Sequence, residues 1–586
     1  MSEVLTVRID ADHYLKQIAD LPDQLDGVIV STPVDPNEIG QPFTSSRGEQ
    51  PLLDYLNTVV TRVGPRIKEG GYLFIYGLPR YLPALALTLN QAEDWLFKYW
   101  IALDLAHKEM PGRLASSHLG LLMYLKGKKA PLNLNTDRVR LPYTACAACG
   151  KNLKDWGGKK HQLNKAGSAL SDVWKDFYRV TGASPDPEIP GLTLNHLDLN
   201  RPLITDFTVT PAPVLARITA LIENGSGLVH LICAPLTAQA TQIPVRPDNI
   251  RPEMADLPND IYLGDSVEVL AGWAQKYPHG CFDLIFADPP YNLDKDYATY
   301  SDAEIDQDYL DWCDTWLAAC IKLLRPSGAL VVLNLPKWSI YHTRLLNREL
   351  FFQNWIIWDA LSTPKGKIMP AHYSLLYYTK GPVGQFNQDP SLTRIPRPDY
   401  CARPACLRAR QARGQVETVA LSDLWSDISR IKHRRDRDEH PCQLPEKLMR
   451  RIIELFSAPG DFVLDPFSGV GTTAVVAKEL GRRYAAVDID EKYVKIGRAK
   501  IAQRDAQGFV AKPSIKKTTH TLTKRRVELA MAKLCLKLGR LPDEAELRSL
   551  LAQEPNSFNL DEAIALFGNF RLVLKSGRVA LKRRSI

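Results

Sequence analysis

A chain of 586 residues with 45% hydrophobic and 24% charged residues has the composition of a globular protein and is too long for one core, so three or four domains are expected. Ten cysteines are too sparse for a disulfide scaffold, no apolar run approaches bilayer length, and Met1-Ser2-Glu3-Val4 lacks the basic-then-apolar pattern of a secretion signal, so a cytoplasmic protein with no membrane partner is expected. The net charge of +8 is unevenly placed: residues 511–586 hold sixteen Lys/Arg against seven Asp/Glu, a surplus that favours contact with nucleic acid over a merely solvated tail.

In chain order, Asp26-Gly27-Val28-Ile29-Val30-Ser31 reads as a short buried strand that stops at Thr32-Pro33. Cys146-Ala147-Ala148-Cys149-Gly150-Lys151 has the spacing of half a zinc site. Prolines 235, 244, 247, 252 and 258 mark a linker over 241–257. The apolar run Phe282 to Ala287 is a second buried strand, ended by Asp288-Pro289-Pro290-Tyr291, because neither proline can extend a ladder. A carboxylate, two stiff carbonyls and an aromatic ring therefore stand together at the C-terminal edge of a strand, where open α/β sheets bind ligands. A planar base with an exocyclic amine suits that group, and an ordinary Pro-Pro turn is the plain alternative. Residues 385–439 are arginine-rich, which suits phosphate and guanine contacts, and include Cys401 and Cys406, again at ligand spacing. Phe462-Val463-Leu464-Asp465-Pro466-Phe467-Ser468-Gly469-Val470-Gly471 is a strand running into a glycine turn and then a helix. Tyr484 to Asp490 is a further strand ending in acids, at the spacing from the turn at which a carboxylate takes ribose hydroxyls. A lone Gly-x-Gly is weak, but strand, turn, helix, strand and acid in succession are not. Three helices, at Lys524 to Leu538, Glu544 to Leu551 and Asn559 to Phe567, are expected in a small basic C-terminal domain, 520–586, of DNA-binding helix-turn-helix kind, with a dimerisation tail as the rival reading.

On these residues the chain resembles the β group of S-adenosylmethionine-dependent DNA amino methyltransferases, which carry an Asp-Pro-Pro-Tyr motif first and a Phe-x-Gly-x-Gly motif later. Leu263-Gly264-Asp265-Ser266, His440-Pro441-Cys442-Gln443-Leu444-Pro445 and the helix Tyr493 to Ile501 extend the likeness to about residues 258–505; Leu444 departs from it, where the family usually has lysine. The resemblance implies an enzyme that transfers methyl from S-adenosyl-L-methionine to a flipped base in double-stranded DNA. Asp288, Pro289, Pro290 and Tyr291 are then catalytic, and Asp265, Asp465, Phe467, Gly469, Gly471 and Asp488 bind cofactor. Aspartate heading the motif implies adenine N6, in a restriction-modification or phage-defence system with partner proteins. Cytosine N4, RNA and a non-catalytic DNA-binding subunit are the alternatives.

The first half repeats the second. Asp26 to Pro33 matches Asp283 to Pro290, Asp54 to Leu56 matches Asp308 to Leu310, and Gly71 to Pro79 matches Gly328 to Pro336. His118 to Gly127 matches His372 to Gly381, Leu170 to Trp174 matches Leu421 to Trp425, and Pro213 to Cys233 spans the distance of Pro445 to Asp465. Ser31-Thr32-Pro33-Val34 stands where the second copy has Asp288 to Tyr291, so the first has lost the chemistry. The expected fold is therefore α/β: two tandem Rossmann-like methyltransferase domains, a degenerate one over 1–240 and a catalytic one over 258–505, plus the small helical domain. Such a chain looks like a homodimer fused into one polypeptide. Cys146, Cys149, Cys401 and Cys406 fall at matching places in the copies and would meet near the axis as one structural zinc site.

Overall fold

In the computed structural model the described residues are 4–43, 50–108, 112–141, 143–153, 163–176, 178–185, 193–202, 206–222, 227–235, 256–292, 306–360, 367–431, 443–506, 570–575 and 578–583. They divide into two units, residues 1–508 and 509–586.

The first unit contains two large sheets built on one plan. The first has β1 (Leu5–Ile9), β2 (Leu25–Ser31), β3 (Ile67–Gly77), β4 (Trp95–Lys108), β5 (Ser116–Lys126), β6 (Val173–Trp174) and β7 (Leu228–Cys233), in the order β1-β7-β2-β3-β5-β4-β6. The second has β8 (Asp260–Leu263), β9 (Phe282–Ala287), β10 (Leu324–Asn334), β11 (Phe351–Asp359), β12 (His372–Thr379), β13 (Leu424–Trp425), β14 (Phe462–Asp465) and β15 (Arg483–Asp488), in the order β8-β15-β14-β9-β10-β12-β11-β13. Each runs parallel up to β3 or β10, then antiparallel through β5 and β4 or β12 and β11, and regains a parallel edge at β6 or β13. The central strands are covered on both faces, which is why β2 and β9 read as unbroken apolar runs rather than alternating ones.

Registers set the equivalences. Gly27 pairs with Tyr72 and Leu284 with Ala329 after the same irregularity, so β2 and β9 match as the sequence repeat predicts. The last repeat is corrected. Leu228 pairs with Gly27 and Val463 with Leu284, and the Gly227 and Phe462 amides donate to Asp26 and Asp283 respectively. His230, not Cys233, therefore occupies the place of Asp465. Where β14 ends and the glycine turn begins, β7 runs on to Cys233 as ordinary strand. Among the described residues the first sheet has no strand between β1 and β7, which pair directly, where β15 lies between β8 and β14 in the second. The extra length of the first copy forms two antiparallel strands, Tyr178–Pro185 and Thr193–Pro202.

The copies meet through equivalent parts. Trp100 and Trp355 stack at 3.9 Å, nearly parallel, with both rings buried. His118 faces Asp423 at 3.4 Å and His372 faces Asp172 at 3.1 Å, each pair crossing from one copy to the other. The Asp423 amide donates to the Ala115 carbonyl (2.9 Å), and the Asp172 amide to the Met369 carbonyl (3.1 Å). Helix Leu82–Gln91, after β3, packs on helix Pro336–Glu349, after β10. This reciprocity is that of an isologous dimer, in which a contact from residue i to residue j recurs from j to i.

In the second unit, the three expected helices lie outside the described residues. What is described there is a hairpin absent from the helical expectation: Phe570–Lys575 pairs antiparallel with Arg578–Arg583, Lys575 opposite Arg578. The intervening Ser576-Gly577 is a two-residue spacing of hairpin type, a signal present in the sequence. No described helix is long and apolar enough to cross a membrane.

Candidate active site

The C-terminal ends of β8, β9, β14 and β15 converge on one cleft of about 1130 Å³, counting its open mouth. Asp265, Asp288, Pro289, Pro290, Tyr291, Asp465, Phe467, Gly469 and Asp488 all line it; Gly471 does not. The sequence places these residues far apart, and the sheet order brings them together because β9 and β14 are neighbours.

The Asp288 motif is held from behind. The Tyr291 hydroxyl donates to Asp288 Oδ1 (2.6 Å), and the Trp338 indole N–H donates to the Tyr291 carbonyl (2.8 Å). The Tyr309 hydroxyl donates to the Pro290 carbonyl (2.6 Å) and accepts from the Asn334 amide (3.1 Å). Among the described residues nothing donates to the Pro289 carbonyl. The Pro290 carbonyl is thus held as a fixed strut.

The glycine turn does two jobs. Gly469 (φ 49°) and Gly471 (φ 75°) are both left-handed, where a side chain would be strained. The Gly469 amide donates to Asp488 Oδ2 (2.7 Å), tying the turn to the tip of β15. Gly471 faces inward: a Cβ there would lie 2.7 Å from Ile261 Cδ1 and 3.1 Å from the Gly497 Cα. It packs closely against helix Glu491–Ala506. Asp265 caps helix Ser266–Lys276, accepting from the Val267 amide (2.8 Å), so part of its carboxylate is already engaged.

Five aspartates, 265, 288, 465, 488 and 490, face the cleft, and among the described residues its lining holds no lysine or arginine. A pyrophosphate cofactor would meet repulsion there, whereas a ligand carrying a sulfonium and an ammonium group fits. Burial pushes Asp465 up to about 7, against donation from Thr473 and the Phe467 amide. Burial likewise pushes Asp488 up to about 6, against donation from the Asp490 and Gly469 amides. A cationic ligand would relieve both.

At the equivalent strand ends of the first copy the side chains meet one another. Ser31, in the place of Asp288, bonds to His230 Nε2 (2.8 Å), which stands in the place of Asp465, and to Thr210 Oγ1 (2.5 Å). Two side chains that face a ligand space in one copy satisfy each other in its counterpart.

Residues 282–499 match the DNA methylase family. The chain is 31% identical over 281 residues to the DNA adenine methyltransferase YhdJ of Escherichia coli (strain K12), spanning 45% of this chain and 90% of that protein. The chain belongs to the DNA methylase family. The chain is also 38% identical over 238 residues to the type II methyltransferase M.BamHI of Bacillus amyloliquefaciens, covering 39% of its own length and 54% of that relative. It is 32% identical over 225 residues to the type II methyltransferase M.HpaI of Haemophilus parainfluenzae, covering 37% of its own length and 68% of that relative. The chain therefore spans about half the length of M.BamHI.

Trp312 lies outside every motif: on helix Asp306–Leu323, it packs on Phe467 at 5.5 Å and walls the cleft. Thr473, Ile489 and Tyr493 line it too. Only the amphipathic spacing of Tyr309, Trp312 and Trp316 hints that this helix faces inward. Of the segment over 385–439, residues 432–439 lie outside the described residues. Several arginines before them are spent internally: Arg397 pairs with Asp399, Arg410 with Glu417, and Arg403 donates to the Asn152 carbonyl. Arg394, Arg408 and Arg413 are exposed. Arg430 donates to the Tyr373 hydroxyl (2.9 Å), and the Tyr373 ring lies 5.7 Å from that of Tyr291.

Proposed function

We propose that the second copy methylates the exocyclic N6 of adenine in duplex DNA using S-adenosylmethionine, as the modification enzyme of a restriction-modification or phage-defence system. The observation that carries this reading is the convergence of the Asp288 motif and the aspartate-lined glycine turn on one cleft. Asp488 would hold the ribose hydroxyls, Asp465 and the Phe467–Gly469 turn the methionine end, and Asp265 the adenine side. When bound, the cofactor supplies an electrophilic methyl group.

The chain's own residues do the rest. A target base must leave the stack, since its amine is unreachable within a duplex. Tyr291, fixed by Trp338, offers a ring to that base. Asp288 and the Pro289 carbonyl accept the two amine hydrogens, which turns the nitrogen lone pair toward the cofactor half of the cleft. Positioning of this kind is the main catalytic contribution. The basic C-terminal unit and the exposed arginines of 385–431 would bind the DNA backbone.

Transfer of labelled methyl groups to unmethylated duplex DNA, followed by nucleoside analysis, tests the reading. N6-methyl-2′-deoxyadenosine is expected. N4-methylcytosine would change the target assignment, and no incorporation would overturn the enzyme reading.

A further inference from the structure

Cys146 and Cys149 belong to the first copy, and Cys401 and Cys406 to the second. Their four sulfurs lie within 4.8 Å of one another. The Cys146–Cys406 and Cys149–Cys401 sulfurs are each 3.7 Å apart. Zinc–thiolate bonds of about 2.3 Å in a tetrahedron place neighbouring sulfurs about 3.8 Å apart. A disulfide requires about 2.05 Å, so neither pair is bonded as a disulfide at this separation.

The backbone around the sulfurs is arranged as at a metal knuckle. The Gly150 amide donates to the Cys146 carbonyl (2.8 Å), with Gly150 at φ 71°, which turns the chain so that both cysteines of the first pair face one point. The Cys401 amide donates to Cys146 Sγ (3.3 Å), crossing from one copy to the other. Arg410, almost wholly buried, donates from Nη1 to Cys406 Sγ (3.0 Å) and to the Cys401 carbonyl (3.1 Å). A guanidinium directed at a sulfur suits a thiolate, and a four-thiolate zinc carries two net negative charges. Further bonds close the seam: the Ala147 amide donates to the Asp399 carbonyl (3.0 Å), and Arg403 to the Asn152 carbonyl (2.8 Å).

The geometry points to a four-cysteine zinc site that staples the degenerate copy to the arginine-rich segment of the active copy. Each copy contributes two ligands, so neither forms the site alone, and the four thiols give up their protons on binding. Soft thiolates in a closed tetrahedron select zinc over hard cations. The role is structural, because all four positions are filled by protein and none is left for a substrate. The fused duplication explains why the site exists: equivalent loops of a pseudo-twofold pair meet at the axis, and a cysteine pair in each is enough to close it.

The test uses the full-length protein, purified under reducing conditions without added chelator. Elemental analysis should find about one zinc per chain, released by a mercurial thiol reagent and read with a metallochromic dye. Cobalt supplied alone to the chelator-stripped protein should give the visible absorption of a tetrahedral thiolate site. Cys149→Ser should lose the metal, while Cys281→Ser, in a buried cysteine elsewhere, should keep it; circular dichroism shows whether each variant folds. Metal-free wild-type protein with four reactive thiols, a mass deficit of two hydrogens per cysteine pair, iron in place of zinc, or a folded Cys149→Ser that retains zinc would each overturn the assignment. The wild-type measurements decide the matter even where a variant fails to fold.

Discussion

Removing the Asp288 carboxylate deletes the proposed acceptor for the amine hydrogens and the 2.6 Å contact to the Tyr291 hydroxyl, yet touches neither the glycine turn nor Asp488. Asp288→Ala should therefore lower methyl transfer by about a hundredfold or more. Cofactor affinity, read by calorimetry, should stay within a few-fold of wild type; retention of more than a tenth of the turnover would displace Asp288 from its role. The buried acids give a pH dependence of definite sign. Burial pushes Asp488 up to about 6 and Asp465 to about 7, so in the ligand-free chain the folded state holds these protons more tightly than the unfolded one, and that contribution to stability fades as pH rises from about 4 through 7. Binding a cation works in the opposite direction, because it favours the ionised carboxylates. Cofactor affinity should rise between pH 5 and pH 8 with proton release near pH 6, seen as a dependence of the calorimetric heat on buffer ionisation enthalpy. Affinity independent of pH over that range would remove Asp488 from the ligand's surroundings.

The glycine turn is the element on which the cleft depends. Gly471→Ala would place a methyl against Ile261 and the Gly497 backbone at a left-handed φ, a strain of about 1–3 kcal/mol. A lowered melting temperature should accompany weakened cofactor binding, since the turn that Asp488 anchors would shift; an unperturbed melting curve would contradict the packing role. This element also shows what a sequence can and cannot reveal. The Asp288 motif and the turn are legible because proline and glycine punctuate backbone conformation and carry the same meaning wherever they occur. The inward face of Gly471 is not, because it depends on a helix some twenty residues further on. Trp312 escapes for a similar reason: an aromatic on a helix reads as core whether or not a cleft opens beside it. Counting spacings sets Cys233 against Asp465, whereas strand register is fixed by pairing with β2, which no linear spacing reports.

At the scale of the whole molecule, the duplication is legible as six ordered matches, and the reciprocal contacts across the copies give it physical content. Asp423 accepts from the Ser117 and His118 amides at 2.8 and 3.3 Å, within a buried interface. Asp423→Ala should leave those donors unpaired and cost about 1–3 kcal/mol, read by denaturant unfolding. A loss below a few tenths would mean that the two copies do not depend on that seam. The surplus of positive charge beyond residue 510 makes a separate prediction. Deleting 520–586 should flatten the salt dependence of DNA binding by about 0.9 in log–log slope for each phosphate no longer neutralised, while cofactor binding persists. An unchanged slope would assign the DNA contacts to the arginines of the first unit.

The chain is proposed to keep the architecture of a dimer with one working half. Calorimetric titration of the intact chain with S-adenosylmethionine tests it most directly. Ser31, His230 and Thr210 satisfy one another where the second copy opens a cleft, and β7 continues as strand through Cys233, three residues past the place where β14 ends at Asp465. One cofactor per chain, abolished by changes around Asp488 and untouched by His230→Ala, is the predicted result; two cofactors per chain would contradict the account.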